Sequence, residues 1–167
     1  TQYLLRADAH VQYSLKGAAD RTVIGSVDVA PYISGLGLVL ETSQGHVYVA
    51  RNHQWAEPLR ISLRPFLSNK ISESLGQPVL AYNNGNHGFT RRIDIRIDQF
   101  HGTRSGDAKL VASWMVIAAD RKDILFENSF YDTEPLTSDG YDALVNAQKK
   151  LLTRFASKIV LTLNQAD

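Results

Sequence analysis

Few residues in this chain have the type and spacing that chemistry needs, and those few stand apart. Its five histidines, His10, His46, His53, His87 and His101, are spread singly. A metal site needs several ligands brought to one point, usually visible as a close pair on a helix or turn. No such pair exists here, and with no cysteine there is no thiolate ligand, disulfide or cysteine nucleophile. Neither a metal nor a cofactor is expected. Asp94 and Asp98 share one face of "RRIDIRIDQF" and could be read as an acid/base pair, but each has an arginine two positions away. A neighbouring cation lowers a carboxylate pKa, whereas a general acid needs it raised. Salt-paired surface residues are the expectation. The loop "NNGNHG" lacks a following Lys-Ser or Lys-Thr, and a strand rather than a helix comes after it. No serine stands in a Gly-x-Ser-x-Gly setting.

The stretch left over is "RNHQWAEPL", Arg51 to Leu59, where one of the two tryptophans lies between His53 and Glu57. A lone aromatic just before a helix more often packs back onto that helix than binds a ligand. Trp55 is therefore read as a packing anchor at a helix entrance, with Ala56, Glu57 and Pro58 in the first turn. On these grounds the chain is not expected to be an enzyme.

The elements that would position these residues follow from hydrophobic period. "RTVIGSVDVAPYI" alternates, with Val23, Val27 and Val29 on one parity, and Pro31 ends the strand. "LGLVLETSQGHVYVAR" reads as a hairpin, Leu36, Leu38 and Leu40 alternating and Val47 and Val49 resuming after the "TSQG" turn. Leu59, Leu63, Phe66, Leu67, Ile71 and Leu75 then recur at helical spacing, with Gly76 and Pro78 as a stop and Pro65 as a source of bending. Ile93, Ile95 and Ile97 face inward from a strand whose charges face water, and "KLVASWMVIAA" and "DILFENSFYDTEPL" complete a meander. The last segment is a long amphipathic helix with Ser138 as N-cap and Asp139 and Asp142 in its first turn. Its buried stripe is Tyr141, Leu144, Val145, Leu151, Leu152, Phe155 and Ile159. The fold class is α+β: one domain over residues 1–167, with two main helices on one face of a largely antiparallel or mixed sheet.

Composition fits that reading. A length of 167 residues, with 44% hydrophobic and 21% charged, is ordinary for a globular domain that buries a core unaided. The net charge is +1, and the longest basic clusters are two doublets, Arg91-Arg92 and Lys149-Lys150. Nucleic acid is not an expected partner, because phosphate contacts need a clustered basic excess. No apolar run approaches the length of a membrane-spanning helix.

The order "YLL", "IGSVDVAPYI", an apolar hairpin, "HQWAEPL" and "DGYDALVNAQKKLL" resembles the PqiC-type ABC-transport auxiliary lipoprotein family. The resemblance spans nearly the whole chain and is most specific in "WAEPL", Trp55 to Leu59, and "DGY", Asp139 to Tyr141. Two details depart from it: Ala30-Pro31 stands where members commonly carry Leu-Pro, and Pro65 is unusual. The family's lipid-bearing cysteine is expected shortly before "YLL", upstream of Thr1.

The resemblance implies a periplasmic adaptor or docking subunit, held by an N-terminal lipid at the inner leaflet of the outer membrane. Its partner would be the MCE-domain protein of an intermembrane lipid-transport system that supports envelope integrity. A carrier with an internal pocket for a lipid or small molecule is the alternative. The resemblance marks Pro31, Tyr32, Trp55, Glu57, Pro58 and Tyr141 as family-motif or partner-binding candidates. A symmetric homo-oligomer is compatible with such a subunit.

Overall fold

The clearest alternation in the sequence becomes the centre of the sheet. In the computed structural model, which describes residues 1–8, 21–81, 88–120 and 123–165, "RRIDIRIDQFHG" forms the twelve-residue strand β6, Arg91–Gly102. It pairs antiparallel with β7 (Asp107–Ala118), which pairs antiparallel with β8 (Ile124–Pro135). The registers Ile93↔Val116, Ile95↔Trp114 and Ile97↔Ala112 put six buried side chains on one face. On the other face Arg92 pairs with Asp94 at 2.9 Å and Arg96 with Asp98 at 2.7 Å, the expected salt pairing along the strand. Arg121 and Lys122 of the turn "ADRKD" and residues 83–87 of the loop "NNGNHG" fall outside the described residues, as do His10 and His87.

The free edge of β6 takes two strands in succession. Strand β2 (Thr22–Val29) runs parallel to it along residues 91–97, and β3 (Gly37–Ser43) meets it at Gly102. Between them Pro31–Ile33 form a single 3-10 turn, so Pro31 ends the strand as its missing amide hydrogen requires. Beyond β3 come β4 (His46–Trp55), antiparallel, and β1 (Gln2–Tyr3), parallel to the end of β4. Short β5 (Val79–Ala81) lies parallel to β2. The eight strands make one mixed sheet, its parallel pairs confined to β1, β2, β3 and β5 and their partners.

Helices α1 (Leu59–Leu75) and α2 (Tyr141–Gln165) cover one face and touch each other, α1 over β2 and β5 and α2 over β7 and β8. Leu63, Leu67 and Ile71 from α1 and Leu151, Leu152 and Phe155 from α2 are all 0% exposed. Burying each such side chain contributes about 1.5–3 kcal/mol. Trp114 meets Phe155 edge-on at 5.6 Å and donates its Nε1–H to Thr162 Oγ1 at 3.1 Å, which satisfies a buried polar tip. Buried Arg91 ties the C-terminal turn of α2 to the sheet: Nη1 donates to the Leu163 carbonyl at 3.0 Å and Nε to Thr22 Oγ1 at 2.8 Å.

Several local expectations need correcting. A bulge between Ile24 and Val27 shifts parity in β2, so Ile24 shares the helix-covered face with Val27, while Val23, also buried, lies on the other face beside Arg92. Val47 and Val49 do lie on the return strand β4, but each is 47% exposed rather than part of the core. Ser138 and Asp139 precede α2 rather than cap it; Gly140, with φ 109°, occupies that position, and Asp142 alone is the acid of the first turn. Ala56 and Glu57 lie before α1, whose N-cap is Pro58. Pro65 faces solvent inside an uninterrupted α1, where the carbonyl that loses its partner can be hydrated. Gly76, at φ 74°, ends the helix as the sequence suggests.

Candidate functional site

The end of β4 and the start of α2 meet at one corner, and β1 closes it. His53 lies flat between two tyrosines, its ring centroid 4.1 Å from Tyr141 and 6.2 Å from Tyr3. The Tyr3 hydroxyl donates to Asp142 Oδ1 at 2.7 Å and lies 3.1 Å from His53 Nδ1. Having given its only proton to the carboxylate, Tyr3 can only accept from the imidazole, so His53 carries its hydrogen on Nδ1. Burial, then the hydrogen bond and charge of Asp142, push the Tyr3 hydroxyl up to about 12. Tyr141 is also pushed up by burial. The result is a relay Asp142···Tyr3···His53 stacked on Tyr141, in which each group is engaged by a neighbour.

The other motif residues divide between core and surface. Trp55 is 2% exposed and stacks on Phe100 at 6.3 Å with rings 9° apart. Its amide donates to the Leu36 carbonyl and that of Ala56 to Tyr3, so the "WAEPL" backbone is held from two sides before α1 begins. Glu57 receives Arg6 Nη2 on both carboxylate oxygens, at 2.8 and 2.9 Å. That pair is solvent-exposed and contributes little to stability. Tyr32 follows Pro31 in the 3-10 turn; its hydroxyl oxygen accepts the Phe100 amide at 3.3 Å and its ring meets His101 edge-on at 5.9 Å. Burial pushes Tyr32 up to about 12, against the opposing pull of the Phe100 hydrogen bond.

The structure thus brings His53 to Tyr141, while Glu57 turns away to Arg6 and Trp55 to the core. Tyr3, Arg6 and Asp142 complete the corner, and sequence spacing alone gave no sign that Tyr3 reaches Asp142. Among the described residues, no group of three or more His, Asp or Glu is arranged to hold a metal ion.

Beside this corner a half-open groove of about 550 Å³ runs between α1 and α2, from Arg6 and Asp8 to Lys150 and Arg154. Its floor includes Phe66, Ala143 and Ala147, and Lys70, Lys149 and Lys150 stand around it.

The profile of the family described as ABC-type transport auxiliary lipoprotein component matches residues 3–160. The intermembrane transport lipoprotein PqiC of Escherichia coli strain K12 is 27% identical over 137 residues, which is 81% of this chain and 71% of that protein. The protein of the same name from Shigella flexneri aligns with the same identity and coverage. A solved structure from Xanthomonas campestris superposes with a TM-score of 0.79 at 14% identity, over 99% of this chain and 98% of that one. Another, of an uncharacterised protein, gives 0.78 at 24% identity, covering 86% and 92%. At such identities the two structures speak for the fold alone.

Proposed function

The chain belongs to the family of ABC-type transport auxiliary lipoprotein components, and from that premise we propose that it is the adaptor subunit of an intermembrane lipid-transport system. In this reading it works in the periplasm, tethered by an N-terminal lipid to the inner leaflet of the outer membrane. It docks the MCE-domain protein that spans the gap between the membranes, and so supports envelope integrity. The observation that carries the proposal is the extent of the family match, which takes in every strand but the first residue of β1 and α2 as far as residue 160. The similarity to an intermembrane transport lipoprotein points the same way.

The geometry supports docking over catalysis. Groups with chemical potential are engaged in holding elements together: His53 with Tyr3 and Tyr141, Glu57 with Arg6, and Asp142 with Tyr3. It also favours an adaptor over a carrier with an internal pocket, since the space between helices and sheet is filled by fully buried Leu63, Leu67, Ile93, Leu151 and Phe155. The motif residues Pro31, Tyr32, Trp55, Glu57, Pro58 and Tyr141 then serve mainly to set the shape of the docking end. Co-purification of the full-length, lipidated protein with its MCE-domain partner is the expected result. Repeated failure with the partner intact and expressed would sink the adaptor role, and lipid retained in a native mass spectrum alongside that failure would favour the carrier.

A further inference from the structure

The groove between α1 and α2 has features that neither the core nor the His53 corner explains. Its volume of about 550 Å³ falls within the range of small-molecule sites, about 300–1,000 Å³. Among the described residues, five cationic side chains line it, Arg6, Lys70, Lys149, Lys150 and Arg154, against one acid, Asp8. Two of the five are already committed. Arg6 is held by Glu57, and Arg154 gives its three nitrogens to Asp132, Glu134 and the Thr133 carbonyl.

The three lysines are different. Lys70 stands 3.8 Å from Glu73 and Lys150 3.5 Å from Glu134, ion pairs too long for good hydrogen bonds, and Lys149 makes no ion pair among the described residues. Three ammonium groups with donors to spare therefore stand around a floor that includes Phe66, Ala143 and Ala147. Such a groove can satisfy an oxyanion at its rim and an apolar group on its floor at once.

We propose that this groove is a binding site for a small anionic amphiphile, the phosphate or carboxylate meeting Lys70, Lys149 and Lys150 and the apolar body lying against exposed Pro135 and the apolar floor between the helices. Size argues against a helical segment of a protein partner as the occupant. One turn of helix with its side chains, 10–12 Å across and 5.4 Å tall, already takes roughly 400–600 Å³, so the groove would hold little more than a single turn. The site is independent of the docking reading: it can exist whichever partner the protein binds.

The test is a nuclear magnetic resonance titration of the whole chain with dihexanoyl phosphatidylglycerol below its micelle concentration. Inorganic phosphate and vesicles of phosphatidylcholine with or without phosphatidylglycerol form the other arms. The expected result is saturable shifts at Lys70, Ala147 and Lys149 with the short-chain lipid, weakened by salt. Lys70→Glu with Lys149→Glu should weaken binding on the order of tenfold or more, since two charge-assisted contacts are reversed. The Lys70 side chain is only 18% exposed, so an unchanged melt of the double variant must show that it folds, and Lys149→Glu alone serves if it does not.

Phosphate alone binding as tightly as the lipid would overturn the amphiphile assignment. Binding only to phosphatidylglycerol vesicles, with the soluble lipid inert, would replace the groove by a membrane-facing surface. A double variant that loses its transport partner while lipid titrations stay flat would hand the groove to the partner. Loss of lipid binding with partner association intact would instead support the groove and leave the adaptor role standing.

Discussion

Tyr3 and Asp142 stand 139 positions apart in the chain, and the Tyr3 hydroxyl donates to the Asp142 carboxylate at 2.7 Å. This one contact closes β1 onto the first turn of α2 and fixes the proton on His53 between them. It adds to the backbone bonds that hold the two-residue strand, from the Thr1 ammonium to Asn52 and from the Gln54 and Ala56 amides to Thr1 and Tyr3.

Replacing Tyr3 by phenylalanine keeps the stacking surface and removes the link. Asp142 and His53 Nδ1 then lose a partner, and the site is open enough for water to take part of the load. The cost is about 1 kcal/mol, the usual net worth of one such bond. A thermal melt should show it, and the His53 ring nitrogens should change tautomer balance by nitrogen-15 resonance. An unchanged imidazole spectrum would show that the relay is not what orients the ring.

Alkaline titration should read the same corner. The Tyr3 and Tyr32 hydroxyls are each pushed up to about 12, Tyr3 by burial and Asp142, and Tyr32 by burial with Glu41 and Asp98 adding. A phenol whose folded value is raised contributes stability that is complete below its unfolded value near 10 and is lost as pH rises toward 12. Ultraviolet titration of the folded protein should contain a late phase, which shrinks in Tyr3→Phe and in Tyr32→Phe. Melting temperature should fall across the same window.

Trp55→Ala should cost about 3–5 kcal/mol, the range for removing a large buried aromatic. The ring is 2% exposed and lies parallel to Phe100, so its loss leaves a hole between the end of β4 and Phe100 of β6. Trp55→Phe should lose less, because a smaller ring can still stack there. A melt of the isolated variant that barely moves, alongside failed assembly, would place Trp55 in a partner contact instead.

What could be read from the sequence was whatever depended on period alone. Ile93, Ile95 and Ile97 announced β6, and the leucines from Leu59 to Leu75 announced α1, because a buried stripe repeats at two or at three to four residues. The α2 stripe was legible for the same reason, but its start was not. Ser138 has the chemistry of a cap, yet Gly140 alone takes the φ of 109° at the bend into the helix. A bulge was equally invisible: one extra residue put Ile24 rather than Val23 on the face of Val27, and only the partner strand reveals which. Val47 and Val49 have strand-like spacing whether or not a helix covers them. The corner itself depends on contacts between segments far apart in sequence, which local pattern cannot encode. "RNHQWAEPL" runs into this corner, while Tyr3, Arg6 and Asp142, which complete it, come from elsewhere in the chain.

The bulge in β2 carries its own test. A Cβ at Gly25 would collide with the Asp94 carboxylate and with Arg92. That carboxylate also accepts the Ser26 amide at 3.0 Å and pairs with Arg92, so it cannot move freely. Gly25→Ala should therefore destabilise by about 1–3 kcal/mol, as overpacking does. Asp94→Ala in the same background should relieve part of that loss, because the colliding carboxylate is removed. An alanine variant as stable as the parent would mean that β2 can shift off its register at no cost.

The acid limb of stability should report on the contact between β8 and α2. Arg154 Nη1 donates to Glu134 at 2.6 Å and Nε to Asp132 at 2.7 Å, while Lys150 approaches Glu134 at 3.5 Å. The Arg154 hydrogen bond holds the Glu134 carboxyl below its usual range, against the opposing effect of burial. A carboxylate with a lowered folded value contributes stability that is present above its unfolded value, about 4.3, and is lost as pH falls through the folded one. At neutral pH, Glu134→Gln should cost about 0.5–1 kcal/mol, modest because Arg154 is partly exposed. As pH falls below about 4 the parent loses the same contribution, and the two melting curves should converge. A gap that stays constant to pH 3 would mean that the glutamine disturbs packing rather than charge.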